Sequence, residues 1–537
     1  GKKAPQGTWV RPGSLKRLED WLRQSGVTWS EEELTFASSK AHGIGVFAKK
    51  LLPKSRAVAR IPVSICLGIE TCSIAKKLKQ LLRNGTLDEE LALVLAVLSE
   101  RRLGQRSKWD GYFRCCLRRD VPHTPQVWSR REQQMLHGTE CDRCDEAKWH
   151  SHAQRQRQAE NKALLSRMQP LMKSLFAKGE PVTWKEYKEV SYWCESRAFN
   201  LGEEAQGEVL CPLADLFNHR SAPRRSSAGS NNGFGGDIAV CSSGREDHVT
   251  IMTQNRVEGG EEVFNCYGAH GNAKLLADYG FCCYPNPHTR VILRPSSVIY
   301  VAARRYSIDE SKLRESLREV VEGWGDEPEE TAVRCEVRRK FRSGRPGNSE
   351  DSGSDDDDDE DEEGGLVEGF SLRRANRQGT TSSTSSKLST TRGEVVIRTP
   401  KGLQKLASSI VGLCRQGNVS SAARRRAADP VQETSRLLEA VAKARQLELL
   451  AAASPATSSS PASTKRGKRK QQSGSRLPGA SSPSHSSSSP SKSSWAAALK
   501  SRRSALAEAL RKEELCILKA FLADLRRRRQ SKSNTAK

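Results

Sequence analysis

Strand-like text brackets a helical middle in the first 300 residues, and that order is the tightest constraint on the fold. Short β-branched and apolar pieces punctuated by glycine stand at Leu34–Ala37, Ile44–Ala48 and Val58–Ile61. Helical spacing then dominates from about 70 to 200, clearest at Glu90–Arg101 and Trp184–Phe199. Strand character returns at Ile238–Cys241, Val249–Met252, Val263–Cys266 and Thr289–Leu293, with a helix pattern at Gly271–Tyr279 between them. Strands, a helical insert and strands again predict an α+β fold, not the alternating βαβ plan of a parallel sheet. An amphipathic helix over 14–25, with Leu15, Leu18, Trp21 and Leu22 at helical spacing, leads into it.

The chain has 537 residues, too many for one ordinary core. Two stretches lack the apolar residues to offset the roughly 1–2 kcal/mol of backbone entropy lost per ordered residue. One is 344–395, with the acidic run Asp355–Glu363 followed by Ser/Thr-rich text; the other is the Ser/Pro-rich 453–497. Between and after them the pattern is helical. The last helix, about Trp495–Arg529, sets Leu499, Leu506, Leu510, Ile517, Leu518, Phe521 and Leu525 on one stripe. The expected organisation is a lead-in over 1–33, an α+β unit over 34–295 and an all-α domain over 296–530 with two disordered inserts.

The net charge of +25 points to an acidic partner or surface. The clusters Arg424–Arg426, Lys465–Lys470 and Arg526–Arg529 lack interleaved aromatics, which favours import or solvation over base stacking. Nucleic-acid contact through these basic segments is left open and is not required. Fifteen cysteines without a repeating framework suit reduced thiols inside a cell. The longest apolar run, Leu91–Leu98, is too short to span a bilayer, so no membrane is expected. The nucleus or cytoplasm is the expected location, although a start at Gly1 leaves a trimmed organelle-targeting peptide open.

Four segments carry candidate chemistry. Gly43-Ile44-Gly45 before a strand lets backbone pass close to a ligand. It is not a dinucleotide fingerprint, because no third glycine and no helix follow. Arg197 ends an aromatic-rich helix and could grip a carboxylate. Asp215, Asn218 and His219 close an apolar segment ahead of a Gly/Ser-rich loop. Two Tyr-Gly pairs, Tyr267-Gly268 and Tyr279-Gly280-Phe281, bring two phenols to neighbouring element ends. Each has a plain alternative: a turn, a surface arginine, a capping aspartate, core aromatics. Cys141, Cys144, His150 and His152 have spacing compatible with zinc, but residual Cys and His is the default and no metal is expected.

Together, in this order, the four segments resemble the SET-domain methyltransferases, in the branch like the Rubisco large-subunit methyltransferase. The resemblance covers about 34–295 and extends weakly to the last helix. It implies a SET-domain fold of small twisted sheets around a knot-like core, with a helical insert and a helical substrate-binding domain behind it. It implies transfer of methyl from S-adenosylmethionine, a cosubstrate, to a lysine of a protein substrate. The backbone at Gly43, Ile44 and Gly45 would line the methionine part of the donor, and Arg197 would sit near its carboxylate. Asn218 and His219 would hold the donor's two ends, with Phe281 as a packing wall. Tyr267 would be the active-site phenol, and Asp215, Tyr267 and Tyr279 would border the channel for the target side chain. Leu201 stands where the plant enzyme has a second arginine, so its substrate preference does not transfer. A histidine-methylating enzyme on this scaffold and a non-catalytic adaptor for chromatin or ribosome assembly are the alternatives. A monomer is expected.

Overall fold

The strand-like text on either side of the insert meets in space. In the computed structural model, residues 12–39, 43–117, 123–143, 151–176, 181–201, 207–221, 236–242, 247–284, 286–322, 332–334, 336–338, 394–396, 400–416, 419–451 and 492–535 are described. Strands β1 (Thr28–Trp29), β4 (Ala57–Pro62), β9 (His248–Thr253) and β8 (Ile238–Cys241) form one antiparallel sheet in the order β1-β4-β9-β8. Strands β10 (Glu262–Val263), β3 (Gly43–Ala48) and β2 (Leu34–Ser39) form a second, in the order β10-β3-β2. Ile61 pairs with Val249 and Val46 with Val263, so both sheets are closed by strands from opposite sides of the insert. Alternation sets the register: Val249, Ile251 and Thr253 are buried while His248, Thr250 and Met252 are not.

A third sheet lies where the insert returns to the core: β5 (Leu67–Gly68), β7 (Glu208–Leu210) and β6 (Ala198–Asn200), in the order β5-β7-β6. The helix expected over 184–199 stops at Arg197, and Ala198–Asn200 is strand. Its backbone groups find partners on β7, with Ala198 opposite Leu210, and that pairing overrides the helical pattern. The centre of the insert is helix Glu89–Leu103. Asp88 caps it by accepting the Leu91 N–H at 2.7 Å. Every residue from Leu91 to Glu100 is buried, as befits a helix apolar on all sides. At roughly 1.5–3 kcal/mol per fully buried large aliphatic side chain, this helix anchors the first core.

Behind the sheets, helices Pro295–Tyr306, Lys401–Gln416, Pro430–Ala451 and Lys492–Thr535 share a second core that includes Leu403, Leu406, Ile410, Leu437, Val441, Leu518 and Phe521. This region is largely helical, with two short antiparallel ladders, β11 (Arg290–Ile292) with β12 (Ala332–Arg334) and β13 (Glu336–Arg338) with β14 (Glu394–Val396); β11 falls within the strand expected at Thr289–Leu293, and the other three had no signal in the sequence pattern. Glu394 and Val395 fall in the stretch expected to be unfolded, yet they pair with Arg338 and Val337. Residues 492–497 likewise belong to the last helix. The rest of 344–395 and 453–497 lies outside the described residues.

A smaller apolar cluster joins the two halves: Trp128, Leu136 and Cys141 from the insert, Leu276 and Ala277, and Ala507 and Leu510 of the last helix. Beside it runs a buried charged seam. Arg445, whose side chain is 4 % exposed, donates to Glu140 Oε1 at 2.8 Å and to the Gly138 carbonyl. Glu514 accepts the Glu140 N–H at 2.8 Å, and Arg503 reaches Glu132 at 3.1 Å. A buried pair of this kind adds little net stability, whereas removing one partner is costly. Among the described residues no helix is long and apolar enough to cross a membrane.

Candidate active site

The site is built where β3 begins. Gly43 has φ +79°, and among the described residues a Cβ there would meet nothing within 4 Å, so they leave open space beside this backbone. Gly45 is the opposite case: a Cβ would collide with the Glu262 carboxylate and sit 2.8 Å from Asn218 Nδ2. The Asn218 amide donates to the Ile44 carbonyl at 3.1 Å and to Glu262 Oε1 at 2.7 Å, two acceptors that fix which way the amide points. The segment carrying Asn218 is held from its other side as well. Its carbonyl accepts the Asn265 N–H at 2.8 Å, Arg220 N–H donates to the Asn265 carbonyl at 3.0 Å, and His219 pairs in parallel with Asn265. A strand end from beyond the insert thus locks the Asn218–His219 pair against the first glycines.

His219 accepts the Tyr267 N–H on Nδ1 at 3.0 Å, so its proton resides on Nε2, 3.2 Å from Ser221 Oγ. Burial, aided by His270 and His288, lowers its pKa to about 4, and the imidazole is neutral at physiological pH. The Tyr267 phenol donates to the Phe217 carbonyl at 3.1 Å. Its ring lies 5.1 Å from that of His219, 5.1 Å from Tyr279 and 6.3 Å from Phe281, centre to centre. Four of the expected site residues therefore make one aromatic wall. Burial pushes the Tyr279 phenol up to about 12, with the Asp278 charge adding to it, so it stays protonated.

Tyr279 is presented by an unusual turn. The helix expected over 271–279 has only three α-helical residues, Asn272–Lys274, and continues as a π-helical turn, Leu275–Tyr279. Gly280 ends it at φ +79°, where a Cβ would lie 2.8 Å from the His123 backbone. Asn272 pins the turn from below: its amide donates to the Cys283 carbonyl and to Glu513 Oε2, both at 2.8 Å, and its Oδ1 accepts the Cys283 N–H at 2.9 Å. The last helix thereby touches the support of the aromatic wall.

Arg197 ends helix Trp184–Arg197, the terminus that favours a cation. It donates to Asp215 Oδ2 at 2.9 Å and to the Asp215 carbonyl at 3.2 Å. Asp215 is turned inward, its side chain 1 % exposed, and Tyr112 donates to the same carboxylate oxygen at 2.5 Å. Just before it, Leu213 holds φ +76°, a strained value for a branched residue, and opens the short turn Ala214–Leu216. Tyr112, Glu262 and Glu513 were missed by sequence reasoning. Of these only Glu262 adjoins a strand marked by the sequence pattern, Val263–Cys266. Burial pushes the Cys282 and Cys283 thiols up, which leaves them unreactive near neutrality. Cys144, His150 and the His152 side chain lie outside the described residues, and among the described residues no cluster of three or more His, Cys, Asp or Glu could hold a metal.

A solved structure of the SET domain of LSMT bound to lysine and AdoHcy superposes with a TM-score of 0.53, covering 96 % of this chain and 92 % of that one at 14 % identity. The structure of Rubisco LSMT bound to AdoMet gives 0.51, over 97 % and 93 %, also at 14 % identity. This chain has a SET-domain fold. In sequence it is 34 % identical over 85 residues to ribosomal lysine N-methyltransferase set11 of Schizosaccharomyces pombe, 16 % of this chain and 18 % of that protein. It is 25 % identical over 298 residues to SET domain-containing protein 4 of Mus musculus, 51 % of this chain and 60 % of the relative. The chloroplastic [fructose-bisphosphate aldolase]-lysine N-methyltransferase of Arabidopsis thaliana matches at 26 % over 273 residues, 50 % of this chain and 52 % of the relative. The matches to the mouse and plant proteins thus span little more than half of each relative's length, and the match to the yeast protein far less. No protein-family model matches the chain.

Proposed function

We propose that this protein is an S-adenosylmethionine-dependent protein-lysine N-methyltransferase. The observation that carries the reading is the convergence of Asn218 on the Ile44 carbonyl with the ring wall of His219, Tyr267, Tyr279 and Phe281. The donor's positive charge is compatible with the groups that surround the site. The described residues leave open space beside Gly43, a neutral His219 does not repel a cation, and aromatic faces attract one. When bound, S-adenosylmethionine supplies a methyl group on a positively charged sulfur, and no metal is needed.

In this reading Gly43, Ile44 and Gly45 line the methionine part, Arg197 lies near its carboxylate, and Asn218 and His219 hold its ends. Phe281 closes the wall. Tyr267 works at the reacting centre. Its hydroxyl proton is committed to the Phe217 carbonyl, so its oxygen serves as an acceptor that can orient an amine N–H. Tyr279 and Asp215 border the passage for the target side chain, with Asp215 paired to Arg197. A lysine amine, with an ordinary pKa of about 10.4, must enter uncharged. Desolvation among the rings and the donor's charge both favour loss of that proton. Holding the amine in line with the methyl then supplies much of the rate. The same reading takes 34–295 as the catalytic unit and 296–530 as the substrate-binding one, in a monomer of the nucleus or cytoplasm.

The test is incorporation of labelled methyl from S-adenosylmethionine into hypomethylated cell extract. Wild type should label a discrete band, lost when the mapped target lysine becomes arginine. Tyr267→Phe should retain donor binding and lose about a hundredfold or more in turnover. Absence of any affinity of the purified protein for the donor would overturn the proposal, and labelling of a histidine would overturn the choice of lysine.

A further inference from the structure

The helical insert reaches back into the site through one phenol. Tyr112 belongs to helix Asp110–Cys115, 103 residues before Asp215 in the chain, and is fully buried. Its hydroxyl is 2.5 Å from Asp215 Oδ2, the oxygen that also receives Arg197 Nη1 at 2.9 Å. A phenol facing a carboxylate that is already bound to a guanidinium can only donate. The ring is held in turn: Trp21 of the N-terminal helix stacks on it at 6.0 Å, and Phe113 lies 6.3 Å away. Gly111 makes room for that stacking, since a Cβ there would lie 2.9 Å from the Trp21 Cβ. Trp21 Nε1 is itself tied to the Lys108 carbonyl at 3.0 Å.

We propose that Tyr112 is a positioning residue for the donor site: through Asp215 it fixes the Arg197 guanidinium that faces the donor's carboxylate. The inference rests on the donor reading given above. It adds that the insert, and behind it the N-terminal helix, set how well the α-carboxylate end of the donor is held. The nucleoside of the donor, which Arg197 does not grip in this reading, should be indifferent to Tyr112. A carboxylate fixed by two donors has one orientation. With the phenol gone, Asp215 can rotate, and the arginine it steers loses its aim.

Two nucleoside probes separate these ends. S-adenosylhomocysteine carries the carboxylate, whereas 5′-methylthioadenosine has the same nucleoside and sulfur without it. Calorimetric titration of the full chain should show Tyr112→Phe weakening S-adenosylhomocysteine by about tenfold, the loss of one hydrogen bond to a charged group, with 5′-methylthioadenosine unchanged. In an Arg197→Lys background the Tyr112→Phe effect should largely vanish, because the relay no longer has its end. The donor KM should rise with kcat little altered. If Tyr112→Phe does not fold, Asp215→Asn reads the same link and should show the same split between the two probes. Equal binding of S-adenosylhomocysteine by wild type and Tyr112→Phe, or an equal loss for both probes, overturns the inference and leaves the functional proposal standing. Failure of wild type to bind S-adenosylhomocysteine at all overturns both.

Discussion

Glu513 offers a measurable handle on how the last helix supports the site. It is half-buried, bound by the Asn272 amide at 2.8 Å, and burial raises its carboxyl pKa from 4.5 to about 7. A raised acid binds more protons folded than unfolded, so stability is fullest below the unfolded pKa and falls as pH rises towards the folded one. A shift of that size, at 1.36 kcal/mol per pKa unit, amounts to about 3 kcal/mol lost by pH 8. Glu513→Gln keeps an acceptor for Asn272 and removes the titration. Urea unfolding of both proteins at pH 5 and pH 8 isolates the effect, because the other titrating groups are common to both. The variant should be less sensitive to the pH change by about 2–3 kcal/mol and should overtake wild type at pH 8. Parallel pH profiles for the two proteins would refute the argument that this carboxylate is strained by its burial.

Two further outcomes follow from the packing. Arg445→Met leaves Glu140 and Glu514 buried beside each other without their cation and should cost about 3–5 kcal/mol at neutral pH. Burial and the Glu140 charge already hold the Glu514 carboxyl well above the usual range, so this loss should shrink as falling pH keeps Glu514 protonated, as denaturant titration will show. Gly45→Ala forces Glu262 and Asn218 apart and should cost only about 1–2 kcal/mol of stability. It should nonetheless cut donor binding at least tenfold in a titration with S-adenosylhomocysteine, since the Asn218 bond to the Ile44 carbonyl is displaced.

The parts of the molecule legible from sequence are those with a local signature. The alternation of Val249 and Ile251 marked β9, the apolar run Leu91–Leu98 marked the central helix, and the spaced leucines of 506–525 marked the last one. The Asn-His and Tyr-Gly segments were legible as a set, and His219, Tyr267, Tyr279 and Phe281 do meet. What was hidden depends on partners far away in the chain. Ala198–Asn200 is extended only because Glu208–Leu210 pairs with it, and Glu394–Val396 only because Glu336–Arg338 does. Tyr112 and Glu513 have no motif around them; each gains its meaning from partners more than a hundred residues away. The π-helical turn at Leu275–Tyr279 was likewise unreadable, because no local residue pattern distinguishes it from an α-helical one.

The bond between Asn272 and Glu513 spans 241 positions of the chain. During synthesis, the turn that displays Tyr279 emerges long before its buttress exists. The nascent polypeptide can assemble its sheets and the Asn218 latch early, yet the wall beside them stays without its support until the ribosome has produced the distant helix. Completion of the site is thus deferred until both halves of the chain have been made, and a ribosome that stalls between them leaves a scaffold whose working face is unfinished.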